Sequence, residues 1–471
     1  MSRTYTNPVY HGNFPDPFVL RFNGRYYAYG TGPAGDGRMF PILSSNNLVE
    51  WDFHGGAVDP LGQPGLEEYW APEVAYHEGR FYMYYAVGQE ANPDHHLRLA
   101  TAEHPLGPWT DADVNLTPNE IFAIDAHPFR DPRDGQWYLF YARDELEPPH
   151  AGTGMVVDRL LAMDRLEGRP QPVLRPFADW QVFELKRAVK GGLDWYTIEG
   201  PFALLHDERY VCFYSGGRWE EPHYGVAYCL ADHPLGPWKD EGHREGPSIL
   251  TTLPGRVLGP GHNSLIIGPD LLTPYVVYHG WDLDCTARYP RIDPLVWKDG
   301  RPRCDGPSWE PRPAPRLPDV LEWWTEADPG AAWQLRGGGW NRVAAGLEAD
   351  SEGSRLALRE RERDFVAETS ISTPHGPAGA GLSIGDLEVV IGPEYLRAGT
   401  ATAALPKGFR HEAWHTLTVR KEGARLTATL DGFPTVTTEL PTGLSELSLT
   451  SGAGARFAHF ALTRLRAIAE A

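Results

Sequence analysis

The 471-residue chain has no apolar run long enough to cross a bilayer, and its first residues, Met-Ser-Arg-Thr-Tyr-Thr-Asn-Pro8, carry no leader-like hydrophobic stretch. Neither a membrane-spanning nor a secreted protein is therefore expected, and a cytoplasmic location is. Cysteine is scarce. Cys212, Cys229, Cys285 and Cys304 show no Cys-x-x-Cys spacing, and they are expected as reduced thiols, the first two as small buried hydrophobes in strand-like stretches. Positive charge is also short, with 43 Lys and Arg against 63 Asp and Glu and a formal net charge of −20. That balance excludes a nucleic-acid surface or an anionic membrane as partner, because both need clustered basic side chains; the ligand is expected to be neutral or cationic.

Glycine (51) and proline (43) are abundant, and 41% of the residues are hydrophobic. The mixture suits packed cores in a turn-rich, all-β fold, and the length calls for two domains. One stretch, Asp16 to Tyr29, reads as a hairpin: Phe18, Leu20 and Phe22 alternate as a buried face, Asn23-Gly24 supplies a tight turn, and Tyr26 to Tyr29 run back. The pattern returns at Pro72, Pro128 and Pro201, and in looser form at Asn263, with separations of 55, 56, 73 and 62 residues. That is the period of four-stranded propeller blades, and five of them are predicted. A second repeat, Ala102-Glu-His-Pro-Leu-Gly-Pro-Trp109 and Ala231-Asp-His-Pro-Leu-Gly-Pro-Trp238, reads as a turn that carries a tryptophan between blades.

The predicted organisation is a propeller over 1–305, a Pro-rich linker over 306–319 and a β-sandwich over 320–471, whose stretches alternate with period two between Gly-rich turns. Trp323, Trp324, Trp340 and Trp414 of the sandwich are expected in its core, with stacking on sugar rings as the alternative. The interval from Ala142 to Glu199 is long, which reads equally as site-shaping insert or surface decoration.

Inner strands of a propeller begin near one mouth of the central channel, so Asp16, Asp125, Glu199 and His262 are expected to converge there. Counted from the frame prolines their register is uneven: one, three and two residues before for Asp16, Asp125 and Glu199. Three carboxyl groups over an aromatic-rich hollow are the parts of glycoside hydrolysis: a protonated acid, a base and a residue that tunes them.

The strings Asn13-Phe-Pro-Asp16-Pro-Phe-Val, Trp70-Ala-Pro-Glu-Val, Ile124-Asp125-Ala-His-Pro-Phe-Arg-Asp, Ile198-Glu199-Gly-Pro-Phe, Gly261-His262-Asn-Ser and Arg291-Ile-Asp-Pro-Leu-Val-Trp297 together resemble glycoside hydrolase family 43. The resemblance implies five blades, inversion, Asp16 as general base, Glu199 as general acid and Asp125 as the residue that orients Glu199 and raises its pKa. It implies for His262 a possible contact with Ca2+ or Na+ near the axis, commonly through water, and no required cofactor. Phe129-Arg-Asp131-Pro132 also looks like a fructosidase motif, but spacing assigns Asp131 to a hairpin loop. Trp70 is a candidate floor for the sugar and Arg288 a candidate substrate contact, with a surface ion pair as the alternative for Arg288. Glu73 reads as a packed, paired acid. The sandwich resembles the lectin-like (concanavalin-type) domains appended to family members, some of which lend a loop to the active-site rim.

The expectation is thus an inverting glycosidase removing terminal α-L-arabinofuranosyl or β-D-xylosyl units from plant-derived oligosaccharides. An endo-arabinanase or exo-β-1,3-galactanase on the same fold and a non-catalytic carbohydrate-binding propeller are the rival readings.

Overall fold

The computed structural model describes residues 3–89 and 94–465. Five four-stranded antiparallel units follow one another, each strand pairing with the next in sequence. Blade I holds Phe18–Phe22, Arg25–Tyr29, Met39–Ser45 and Asp52–Val58; blade II holds Glu68–His77, Arg80–Gly88, His96–Ala102 and Thr110–Asn115. Blade III is Ala123–Arg130, Trp137–Glu145, Gly152–Ala162 and Gln171–Leu174, and blade IV is Leu193–His206, Arg209–Gly216, Gly225–Ala231 and Lys239–Asp240. Blade V is Leu258–Ile267, Pro274–Trp281, Arg288–Lys298 and Arg301–Cys304.

The predicted hairpin is present, with Asn23 and Gly24 both at positive φ (47° and 78°), as the twist of a two-residue turn requires. Adjacent blades bury aromatic rings between them. Trp109 meets Tyr29 edge-on at 5.9 Å and Trp238 meets Phe140 at 5.7 Å, and each indole donates to the carbonyl of the proline four residues earlier. The two copies of the octapeptide therefore do one packing job at two blade junctions.

The ends are closed by a separate device. Thr4–Tyr5 pairs with Arg312–Pro313, and the Asn7 side chain donates to Ile292 O (2.8 Å) and Ser308 Oγ (2.9 Å). The Pro-rich segment is thus tied down at that point instead of spanning free. Blades III and IV are also joined, by parallel pairing of Gly152 and Thr153 with Tyr196 and Thr197. A Cβ at Gly152 would stand 1.8 Å from the Tyr196 carbonyl oxygen, so only glycine allows the strands this close.

Residues from Val320 onward form an eight-stranded and a seven-stranded sheet around a core that includes Trp324, Trp333, Phe365, Leu382, Leu417, Phe457 and Phe460. The eight-stranded sheet is turned towards the inner hairpins of blades I to III. Arg21 pairs with Glu368 in a buried contact, Arg410 N donates to Glu78 Oε2 (2.7 Å), Trp414 N to Tyr76 Oη (3.1 Å) and Arg130 to Asp431 O (3.1 Å). Two of the four tryptophans expected in the sandwich core are elsewhere: Trp323 and Trp414 face the propeller, where Arg25 lies over Trp323. Period-two alternation shows that a residue leaves one face of a strand, not which face meets a second domain. The cysteines are free thiols, Cys212 and Cys229 buried. Among the described residues no helix is long and apolar enough to cross a membrane.

Candidate active site

The inner strands of the blades open on a shared backbone feature. Asp16, Ala71, Asp125, Gly200 and His262 have φ between 44° and 58°, and in blades II to V the pairing register shifts around them, as at a β-bulge. These five positions are equivalent. The uneven count from the prolines has a simple cause: blade III turns through a longer loop, Asp131 to Gln136, where blades I, II and IV use two residues. Asp131 builds that loop, accepting from Arg133 N (2.9 Å) and from Tyr210 Oη (2.7 Å). The residue equivalent to Pro17 is accordingly Ala126, not Pro128. Holding a non-glycine residue at positive φ costs of order 1–3 kcal/mol, and the bulge retains it three times where the side chain is Asp or His.

The bulge aims these side chains into the mouth of the channel. One ligand-type atom from each of Asp125, Glu199 and His262 lies within 4.8 Å of the others, and Asp16 Oδ1 is 3.5 Å from His262 Nδ1. Glu199 precedes its bulge residue by one, in the register of Trp70 in blade II. All four predicted residues are buried or nearly so and line one cavity with Trp70 and Arg288.

Their electrostatics are opposed. Burial alone would raise the pKa of Asp16, but Arg288 (Nη1 2.9 Å from Oδ1), His262 and His279 hold it well below the usual carboxylate range. Asp16 is an ion. Glu199 has no cation so close; burial and the charge of Asp16 push it up to about 7, against the lowering effect of a hydrogen bond from Tyr224 Oη (2.9 Å) and of Arg288 and Arg187. Asp125 is raised well above the ordinary value by burial and by Glu199 and Asp16, although Gly200 N donates to it at 3.0 Å. Three neighbouring carboxyl groups thus divide into one charged and two that favour the proton.

Arg288 is no surface ion pair: it is largely buried, lies 4.4 Å over Trp219, and Trp219 stacks on Trp281 at 5.7 Å. Trp70 lies against His95 at 3.6 Å. The cavity measures about 540 Å³, and Glu67, Glu68 and Glu220 also line it. Its volume suits a small number of sugar rings. Part of the long insert, Val182–Arg187, pairs with the extended start of the blade IV inner strand, and His223 lies 3.0 Å from Val182 O. No described residue of the sandwich lines the cavity. That domain packs on the hairpin turns, at the opposite mouth.

Glu73 pairs with His127 at 2.7 Å, as a buried acid should. Sequence reasoning missed Tyr224, His279, Trp219 and Trp281. The Asp16 amide donates to His279 Nδ1 (3.2 Å), which holds the strained residue in place. Nδ1 also stands 3.2 Å from Asp16 Oδ1, and burial pushes the pKa of His279 down to about 4. The one available signal was a histidine in the otherwise apolar strand Tyr275-Val-Val-Tyr-His279.

A cation fits one part of this site. The Asn263 amide is buried with neither atom partnered among the described residues, and it adjoins His262. His262 and Asn263 together suit a hydrated Ca2+ or Na+ near the axis. Direct ligation by Glu199 does not fit, since a cation there would strip the proton that its surroundings favour.

A five-bladed propeller with an ionised and a protonated carboxyl group in one sugar-sized hollow defines the class of carbohydrate hydrolases. Comparison with known proteins narrows the class. The family profile described as glycosyl hydrolases family 43 matches residues 5–302, and the chain belongs to that family. It is a glycosidase. A β-D-galactofuranosidase of Aspergillus niger is 28% identical over 61% of this chain and 79% of its own length. An extracellular exo-α-(1→5)-L-arabinofuranosidase of Streptomyces avermitilis is 24% identical over 64% of this chain and 63% of its own. The crystal structure of a thermostable family-43 glycoside hydrolase, 33% identical, covers 66% of this chain and 99% of its own with a TM-score of 0.59.

Proposed function

We propose that the protein is an inverting glycosidase that removes terminal α-L-arabinofuranosyl or β-D-xylosyl units from plant-derived oligosaccharides. The observation that carries this is the opposed protonation of Asp16 and Glu199 across one cavity. Glu199 donates its proton to the glycosidic oxygen as the bond to the anomeric carbon breaks. Asp16 takes a proton from a water that attacks that carbon from the other face. Net consumption is one water, and a proton returns from Asp16 to Glu199 through solvent. Asp125 orients Glu199, while burial and the charge of Asp16 favour the protonated acid. Arg288 holds Asp16 ionised and offers its remaining donors to sugar hydroxyls, while Trp70 presents an aromatic edge to the ring.

His262 and Asn263 would hold a hydrated cation near the axis, and it would supply a fixed positive charge there. The substrate assignment is supported by the arabinofuranosidase relative. The galactofuranosidase relative favours a second reading, β-D-galactofuranosides, which share the furanose ring form. A panel of aryl α-L-arabinofuranosides, β-D-xylosides and β-D-galactofuranosides, followed by proton NMR of the first-formed sugar, tests both substrate and stereochemistry. A product that keeps its anomeric configuration, or a panel with no turnover, overturns the proposal.

A further inference from the structure

Tyr224 contributes nothing to the strands of its blade, yet it is 1% exposed and its hydroxyl donates to Glu199 Oε1 at 2.9 Å. Its ring is fixed on two sides. It lies parallel to His279 (centroids 6.0 Å apart, planes 4° apart), and Gly261 sits so close that a Cβ there would be 2.1 Å from its Cε1. The backbone turn Arg218 to Tyr224 delivers it, through Glu221 N to Arg218 O (2.8 Å) and Tyr224 N to Glu221 O (3.1 Å). His279 is held in turn by the Asp16 amide. One stack therefore connects the partner of Glu199 to the backbone of Asp16.

We infer that Tyr224 is a positioning residue for the acid step, its hydroxyl fixing which oxygen of Glu199 carries the transferable proton. This rests on the reading of Glu199 as the acid. A carbonyl-type oxygen accepts a hydrogen bond better than the hydroxyl oxygen of a carboxylic acid, so an O–H aimed at Oε1 leaves the proton on Oε2. Burial and the neighbouring Glu199 keep the phenol itself protonated, so it remains a donor across the working pH range. The same bond favours the carboxylate over the acid, and so restrains the rise that burial gives Glu199. Tyr224 thus sets both the place and the strength of the proton donor.

Tyr224→Phe deletes the hydroxyl and keeps the ring, its stack on His279 and its contact with Gly261. On an oligosaccharide, whose leaving group needs protonation, kcat is expected to fall roughly tenfold, the scale of one hydrogen bond to an ionisable group. On a dinitrophenyl glycoside it should stay near wild type, with KM unchanged. The alkaline limb of the pH profile should move to higher pH. Replacing Tyr224 by 3-fluorotyrosine, a stronger donor of nearly the same shape, should move that limb the other way, and it tests the inference even if the phenylalanine variant folds poorly. An unmoved limb in both variants, or equal losses on both substrates, overturns it. Glu199→Gln run alongside separates the two failures: if that variant spares the dinitrophenyl glycoside, Glu199 stands and only the role of Tyr224 falls; if it does not, both fall.

Discussion

The amide of Gly200 donates to Oδ2 of Asp125 at 3.0 Å, so the backbone that carries Glu199 also holds the carboxyl group beside it. The glycine is in the left-handed region (φ 58°), and it faces the His262 ring at 3.4 Å from where a Cβ would sit. Two acids and a histidine from three blades are thereby fixed against one peptide unit.

Asp125→Asn keeps an oxygen for that amide and, because Asp125 favours its own proton, exchanges one neutral group for another. The alkaline limb of kcat/KM should stay where it is, with a loss of roughly tenfold at the optimum from the altered setting of Glu199. Asp125→Ala leaves the buried Gly200 amide unpartnered and should lose clearly more. A limb that the Asn variant moves to lower pH would show Asp125 charged beside Glu199 in the wild type and would refute this reading.

Asp16→Asn removes the proposed base, which every substrate would need, and should fail by ~10²–10⁴-fold on oligosaccharides and aryl glycosides alike. Glu199→Gln removes only the proton donor and should spare glycosides whose leaving group departs unaided. Steady-state rates on the two substrate types distinguish the residues.

The proposed mechanism requires Asp16 charged and Glu199 protonated. Asp16 is held well below the ordinary range and Glu199 reaches about 7, so kcat/KM should fall on the alkaline side as pH rises through about 7. The same shift affects stability: a carboxyl group whose pKa rises on folding binds its proton more tightly in the native state. Its effect is a loss of stability as pH rises from about 4.5, the ordinary value, through 7. Glu199→Gln should therefore unfold at a higher temperature than wild type at pH 8 and at nearly the same temperature at pH 4, read by calorimetry.

The contact between the two sheet systems depends on a buried ion cluster. Burial would raise the pKa of Glu368, but Arg21 and His459 (Nε2 3.0 Å from Oε1) hold it down to about 2. Its stabilising effect is present above the ordinary value near 4.5 and is lost as pH falls towards 2. Arg21→Ala leaves a buried charge unpaired and should destabilise by ~3–5 kcal/mol, while kcat on an aryl glycoside stays unchanged. Thermal unfolding and limited proteolysis between residues 305 and 320 would register it.

Chelation should weaken activity severalfold without abolishing it, because the proposed water attacks from Asp16 and not from a metal. Complete, zinc-specific loss measured after dialysis against chelator would contradict that assignment.

The proline frame was readable because hairpin turns and strand alternation repeat locally, and it led to Asp16, Glu199 and His262 directly. It misplaced the register of Asp125, because the frame counted back from a turn whose length differs in blade III. Tyr224 and His279 lie on a connecting turn and a second strand, where no repeat marks them; only the closed ring of blades brings them to Glu199 and Asp16. The division of three like side chains into one ion and two proton holders was also illegible, since it depends on which of them stands within 3 Å of Arg288. For the sandwich the strands were legible and their outward face was not, so Trp323 and Trp414 were assigned to the wrong surroundings.

The sandwich lies on the hairpin turns of blades I to III, at the end of the channel remote from Asp16 and Glu199, and none of its described residues lines the cavity at the other end. A glycan that reaches the acids therefore meets propeller side chains alone. Exchanging the sandwich for another domain should alter how firmly the ring of blades holds together before it alters which sugar is accepted.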